Sequence, residues 1–140
     1  KEYRRQRQMC IRDRLGDGSA SPTIKIALYV ESDAERDAYP WVRELVPELR
    51  AVVSGKHWVD LMHPDADKGL ALAQLAEAMG VAMSETAAFG DYLNDLGMLR
   101  AAGHAVAMGN AHEDVKAVAD EVVGANTDGA AVARLAKWLS

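Results

Sequence analysis

Two short stretches of this chain gather side chains suited to holding a phosphoryl group and a hard metal ion. In residues 89–95 (FGDYLND), an apolar run ends in Gly90, and Asp91, Asn94 and Asp95 follow within five positions. Oxygen ligands held this closely suit Mg²⁺, which binds through one or two carboxylates, waters and phosphate oxygens. Residues 67–69 (DKG) lie about 23 residues upstream, where a helical pattern begins. A lysine at a helix N-terminus has the wrong sign for the helix dipole. Beside the free amide donors of that terminus it suits an anion, and a phosphoryl group is the obvious candidate. Each stretch also has an ordinary structural reading. Asn94 or Asp95 could cap a helix, and Lys68 could be a solvated surface lysine.

The elements that must position these residues can be read from pattern. Residues 23–30 (TIKIALYV) are apolar and β-branched and predict a strand. Ser32 and Glu35 form a capping-box pair for a helix carrying Val42, Leu45, Val46 and Leu49, which Pro40 and Pro47 must kink or split. Residues 50–53 and 57–63 predict two short strands joined by a turn at residues 54–56. From residue 67 helices and strands alternate. A helix starts near Lys68 with the stripe Leu72, Leu75, Ala76 and Met79 and stops at Gly80. Residues 87–91 (AAFGD) predict a strand, and a helix with Leu96 and Leu99 follows. Residues 105–108 predict a strand, 112–119 a helix, 121–123 a last brief strand. A final helix carries Val132, Leu135, Ala136 and Leu139. Apolar strands separated by helices imply an α/β fold with a parallel sheet covered on both faces. A strand running into Gly90-Asp91 places that carboxylate at the C-terminal sheet edge, where open parallel sheets bind ligands, with Gly90 allowing a tight turn.

The order Lys68-Gly69, helix, strand, Gly90-Asp91, Asn94-Asp95, the strand AVAMGNA and then Asp128-Gly129 resembles the haloacid dehalogenase-like (HAD) hydrolase superfamily, most closely its Cof-type phosphatases. The resemblance implies a Rossmann-like core with an inserted α/β cap. Residues 23–66 correspond to the second half of the cap and residues 67–140 to the C-terminal half of the core. It further implies Lys68 and Asn94 at the phosphate, with Lys68 neutralising the phosphoryl group, and Asp91 and Asp95 at Mg²⁺, with Asp95 supporting the metal shell. Asn110 aligns near the site. The implied reaction is hydrolysis of a small phosphorylated metabolite, such as a sugar phosphate, through an aspartyl-phosphate. The family's nucleophile lies in an Asp-x-Asp-Gly motif, and no residue of this chain is assigned to it. Asp65-Ala66-Asp67 matches by letter alone and is succeeded by Lys68; Leu15 stands where a nucleophile would precede Gly16-Asp17-Gly18. The chain alone is therefore expected to be inactive. Other superfamily branches, and a degenerate module that binds Mg²⁺ or phosphate without catalysis, remain as alternatives.

Residues 1–22 stand apart. The run at residues 4–14 (RRQRQMCIRDR) resembles the translation of a transposase-type sequencing adapter, so residues 1–14 are expected to be non-native, residues 15–22 a loop, and part of the native protein to lie upstream. That head carries six Lys or Arg against Glu2 and Asp13, whereas the rest carries ten against nineteen acids. The acidic body argues against nucleic acid as a partner. The chain has no apolar run long enough for a membrane span, and with Cys10 its single cysteine it reads as cytoplasmic. A sheet lacking its first strands would leave an open edge through which the chain is expected to self-associate. Trp58 is expected to pack in a core before facing a substrate, Trp41 and Trp138 to lie on helix packing faces, and Met79, Met83, Met98 and Met108 to be core. His57, His63, His104 and His112 lack metal-like spacing.

Overall fold

The computed structural model describes residues 24–140, so the expectations for residues 1–22 lie outside the described residues. Two three-stranded sheets form. The first is antiparallel, in the order β1 (Lys25–Tyr29), β3 (Trp58–Met62), β2 (Arg50–Gly55). Strands β2 and β3 make a hairpin whose turn falls at residues 56–57, slightly beyond the expected place. Alternation along the strands divides this sheet into two faces. Val53, Val59 and Leu61 face helices α1 (Ala34–Asp37) and α2 (Tyr39–Leu45), burying Ala34, Ala38 and Val42. Val59 is fully buried, and burial of such a side chain contributes about 1.5–3 kcal/mol. The opposite face carries Lys25, Asp60, Met62, Arg50 and Val52, which register across the three strands.

The helical segment is split at Ala38, as Pro40 requires, and α2 ends at Leu45 just before Pro47. Its first cap differs from expectation. Asp33, not Ser32, accepts the Arg36 N–H at 3.1 Å, because Asp33 holds the extended backbone that directs a carboxylate at the first turn.

The second sheet is parallel, in the order β4 (Ala87–Gly90), β5 (His104–Ala107), β6 (Glu121–Val122). Helices α3 (Lys68–Met79), α4 (Leu96–Ala101), α5 (Glu113–Val118) and α6 (Ala130–Leu139) accompany it. Ala105, Val106 and Ala107 of β5 are all buried, as a central strand covered on both faces requires. Ala88 packs with Leu99 of α4 on one face, and Phe89 meets Trp138 of α6 on the other, ring centroids 5.6 Å apart. Strand β4 pairs with β5 alone, so its other edge is unpaired among the described residues.

The helical stripes depart from expectation in how much of each is covered. On α3 only Gly69 and Ala76 are buried, Leu72 packs at the core margin, and Leu75 and Met79 are exposed. Trp41, Val132 and Leu139 are exposed likewise. Trp41 keeps one contact, its indole Nε1 donating to the Asp37 carbonyl of α1 at 2.9 Å. Trp58 is more than a third exposed and stands edge-on to Tyr29 at 5.1 Å, so it is not a core residue. Met108 is buried and Met98 partly so, as expected. Among the described residues no helix is long and apolar enough to cross a membrane.

Candidate functional site

Lys68 is placed by the start of α3. Asp67 has extended backbone dihedrals and caps the helix, its Oδ1 accepting the N–H groups of Gly69 (2.7 Å) and Leu70 (3.1 Å). The start of α3 packs backbone to backbone against the start of α4. A Cβ on Gly69 would lie 2.4 Å from the Gly97 carbonyl oxygen, and one on Gly97 would lie 2.6 Å from Asp67 Oδ2. No residue with a side chain fits either position without displacement. Asp67 Oδ2 also receives Arg50 Nη2 of β2 at 2.5 Å. Burial pushes the Asp67 carboxyl up, but the Leu70 N–H, the Arg50 guanidinium and the Gly69 N–H together hold it below the ordinary carboxylate range.

This approach of two helix starts brings Lys68 onto Asp95. Past the end of β4 the chain makes a single 3₁₀ turn, Leu93–Asp95, which folds Asp95 back over Gly90. Asp95 is 6% exposed, and both its oxygens are engaged. Lys68 Nζ donates to Oδ1. The backbone N–H of Asp91 (3.0 Å) and that of Tyr92 (3.4 Å) donate to Oδ2. The role of Gly90 is therefore not the one inferred from sequence. It has no positive φ; instead a Cβ there would stand 2.7 Å from Asp95 Cβ and 2.9 Å from Leu99 Cδ1. Glycine is needed for that close approach.

One buried carboxylate thus joins the Lys68 ammonium to the backbone turn that presents Asp91. The Asp91 carbonyl accepts the His112 N–H at 2.9 Å, and its Oδ2 accepts Asn126 Nδ2 at 2.8 Å. Asn126 is held in turn by its backbone N–H donating to Asn110 Oδ1 at 2.8 Å. Asn110 therefore reaches Asp91 through Asn126. The side chain of Asn94 aims elsewhere: its Oδ1 is buried with no hydrogen-bond partner, and Asn94 lines a cleft of about 460 Å³ together with Lys68, Arg50, Lys25, Asp60 and Asp67. A buried amide oxygen without a donor is what a cation or a ligand donor would satisfy. Turned over, the same amide offers N–H groups to phosphate oxygens.

Asp91 offers one carboxylate ligand toward a magnesium site, an oxygen without a described partner; the Asn94 amide faces the cleft beside Lys68, whose lining does not include Asp91. Among the described residues no group of three or more His, Cys, Asp or Glu could hold a metal. Mg²⁺ tolerates this, because it commonly keeps waters and substrate oxygens in its shell. The four histidines have other contacts. His57 Nδ1 sits 2.9 Å from the Ser32 carbonyl, His112 Nδ1 caps α5 through the Asp114 N–H, His63 Nδ1 accepts the Asp65 N–H, and His104 lies 3.6 Å from Asp120.

Pattern reading missed Arg50 and Asn126. Arg50 could have been noticed by strand parity, because a cation two positions before Val52 must share its sheet face. Asn126 gave no signal, since its contact with Asp91 spans 35 residues of chain.

Comparison with known proteins supplies the family. Residues 4–135 match the haloacid dehalogenase-like hydrolase family, a span that begins within the basic head. The phosphatase YwpJ of Bacillus subtilis is 47% identical over 100 residues, covering 71% of this chain and 35% of YwpJ. The pyridoxal phosphate phosphatase YbhA of Escherichia coli is 49% identical over 69 residues, 49% of this chain and 25% of YbhA. The solved structure of a haloacid dehalogenase-like hydrolase from B. subtilis superposes with a TM-score of 0.69 at 37% identity, over 81% of this chain and 41% of that one. The chain spans less than half the length of each of these relatives. With the family matched across most of its length and the α/β architecture shared, the chain belongs to the haloacid dehalogenase-like hydrolases.

Proposed function

We propose that this chain supplies the phosphate-holding and metal-holding half of a Mg²⁺-dependent phosphatase that hydrolyses small phosphate monoesters. The observation that carries the reading is the double engagement of Asp95, which sets a lysine ammonium and the Asp91 turn on the two oxygens of one buried carboxylate. Lys68 neutralises the phosphoryl oxygens, and Asn94 hydrogen-bonds them. Asp91 holds Mg²⁺, which when bound contributes charge stabilisation at the transferring group. Asp95 is fully committed to Lys68 and to backbone N–H groups, so it serves the metal shell by fixing Asp91 in place. Residues 23–66 act as part of a cap and residues 67–140 as part of the core. The relative YbhA is named for pyridoxal phosphate, itself a phosphate monoester.

The nucleophile is not supplied by the described residues. Asp65 is largely exposed in a loop, and Asp67 is spent on capping α3. Neither ends a strand of the parallel sheet. Monoester hydrolysis requires acceleration approaching ~10²¹-fold, whereas one charge-stabilising donor contributes about 3–4 kcal/mol. Lys68 and Asp91 by themselves fall far short, and the chain alone is inactive while the whole protein turns over through an aspartyl-phosphate. The unpaired edge of β4 is the surface through which the isolated chain self-associates.

The test is a titration of the 140-residue chain with inorganic phosphate, with and without Mg²⁺, followed by NMR. Phosphate binding strengthened by Mg²⁺, with the strengthening lost in Asp91→Asn and the binding itself weakened in Lys68→Ala, is the expected pattern. Binding indifferent to both substitutions would refute the assignment. Turnover of p-nitrophenyl phosphate by the chain would refute its inactivity.

A further inference from the structure

We propose that Arg50 is a specificity-determining residue, reading a second oxyanion on the leaving-group side of the substrate. This rests on the placement of the phosphoryl group at Lys68. Arg50 sits at the start of β2, an edge strand, on the sheet face turned away from α1 and α2. It lines the same cleft as Lys68 and the unpartnered Asn94 amide. Val52, Met62 and Leu70 provide apolar wall between the charged groups, which suits the carbon frame of a small metabolite.

Three cations line that cleft, and each meets one carboxylate: Lys25 with Asp60, Lys68 with Asp95, Arg50 with Asp67. An arriving anion must take a cation from its partner or share it. Asp60 is 4% exposed and has Lys25 as its one described side-chain partner. Taking Lys25 away would strand a buried charge, which is strongly unfavourable. Arg50 is different. Asp67 keeps the Gly69 and Leu70 N–H groups on Oδ1 whether or not Arg50 is present, and its side chain is a quarter exposed, so water can replace the guanidinium. Arg50 commits a single donor, Nη2, to Asp67. Its remaining N–H groups have no described partner. A guanidinium offers five donors in a planar fork that matches a carboxylate or phosphate in two parallel bonds. Of the three, Arg50 is the cation with donors to spare and a partner that can release it.

The ligands that test this are 3-phosphoglycerate and glycerol 3-phosphate, which differ only in carrying a carboxylate or a hydroxymethyl group at one carbon. Each is titrated into the full chain and followed by NMR. A charge-assisted bidentate contact predicts about ten-fold tighter binding of 3-phosphoglycerate. Arg50→Lys keeps a charge for Asp67 and loses the fork, and Arg50→Ala loses both. Either variant should reduce the preference to within about two-fold. Asp67→Asn keeps the capping oxygen and removes the competing charge, so it should raise the preference. If Arg50 merely braced Asp67, the Arg50 and Asp67 variants would move both ligands together and leave their ratio unchanged. A second pair, fructose 1,6-bisphosphate and fructose 6-phosphate, separates the two oxyanion sources, the larger ratio naming the group. Ratios near one for both pairs in the unaltered chain, or a ratio untouched by Arg50→Lys and Arg50→Ala, would overturn the role of Arg50 alone. Lys68→Ala should weaken all four ligands. Failure of that loss, or no binding of any of them, would overturn the phosphate placement beneath it.

Discussion

The pairing of Lys68 with Asp95 predicts an unequal cost for removing its two ends. The Lys68 side chain is half exposed, whereas that of Asp95 is 8% exposed. Lys68→Met leaves a buried carboxylate whose remaining donors are the Asp91 and Tyr92 N–H groups, the latter at the long distance of 3.4 Å. Removing one partner of a fully buried pair costs about 3–5 kcal/mol. Water entering where the lysine stood, together with the two N–H groups, reduces this to about 2–3 kcal/mol. Asp95→Asn keeps an oxygen for both N–H groups and lets the lysine turn into solvent, so it costs about 1 kcal/mol. The double variant strands no charge and should cost little more than Asp95→Asn alone, giving a coupling of about 2 kcal/mol. The measurement is urea unfolding of the four proteins at low micromolar concentration. With a slope of about 1–3 kcal/mol/M, a 2 kcal/mol loss moves the midpoint by roughly 1 M. Equal costs for the single variants, or costs that add within about 0.5 kcal/mol, would show that Asp95 is not held as a buried charge by Lys68.

Three further outcomes follow from neighbouring contacts. Gly90→Ala drives a methyl group into the Asp95 and Leu99 side chains and should cost about 1–3 kcal/mol, read by the same unfolding experiment; a neutral effect would mean that Asp95 can move aside freely. Asp67→Ala removes the α3 cap and should cost about 1 kcal/mol. Because folding holds the Asp67 carboxyl below its ordinary value, its stabilisation is complete above the unfolded carboxylate pKa and disappears as pH falls through the lower folded value. The cost of Asp67→Ala should therefore shrink as the pH is lowered through that range, and a cost independent of pH would contradict the hydrogen bonds described. The open β4 edge predicts concentration-dependent association in sedimentation velocity, against which a monomer unchanged over a hundred-fold range of concentration would count.

Much of the fold was legible because its signals are local. Gly80 stops α3 with φ of 67°, Pro40 falls at the start of α2, and the runs expected as strands at residues 87–91 and 105–108 form strands at 87–90 and 104–107 that pair in parallel, as their lack of polar alternation implied. The candidate site was legible as residue types within two motifs, and Lys68 and Asp95 do meet. What could not be read were consequences of packing between segments far apart in the chain. The exposure of Leu75 and Met79 is one, because helical periodicity marks an apolar face without saying whether anything covers it. The purpose of Gly90 is another: a short turn and a close side-chain approach both call for glycine, and only the position of Asp95 decides between them. Arg50 belongs to the same class. Strand parity puts it on the sheet face of Val52, but only the strand register and the start of α3 bring it to Asp67.

On the proposed reading, the geometry also bears on how far the phosphate grip depends on residues outside 67–126. Lys68 and the Asp91 turn are held by hydrogen bonds and close approaches within residues 67–126: the Asp67 cap, the glycine contact between α3 and α4, Asp95, and the Asn110–Asn126 link. None of these needs a strand beside β4. The groups that stabilise charge can therefore be preorganised independently of the nucleophile, which is the condition under which such groups contribute most. Two links reach outside that span: the Arg50–Asp67 pair ties a residue of the antiparallel sheet to the helix cap beside Lys68, and Tyr92 and Leu93 of the turn pack against the apolar core of that sheet. A change in how the two sheets sit would thus be felt both at Asp67 and at the Tyr92–Leu93 turn. If the phosphate grip is autonomous, Lys68→Ala should weaken phosphate binding by the same factor in the isolated chain and in a longer protein carrying the Asp-x-Asp-Gly motif. A factor several-fold larger in the longer protein would show instead that the grip is completed by the strand that bears the nucleophile.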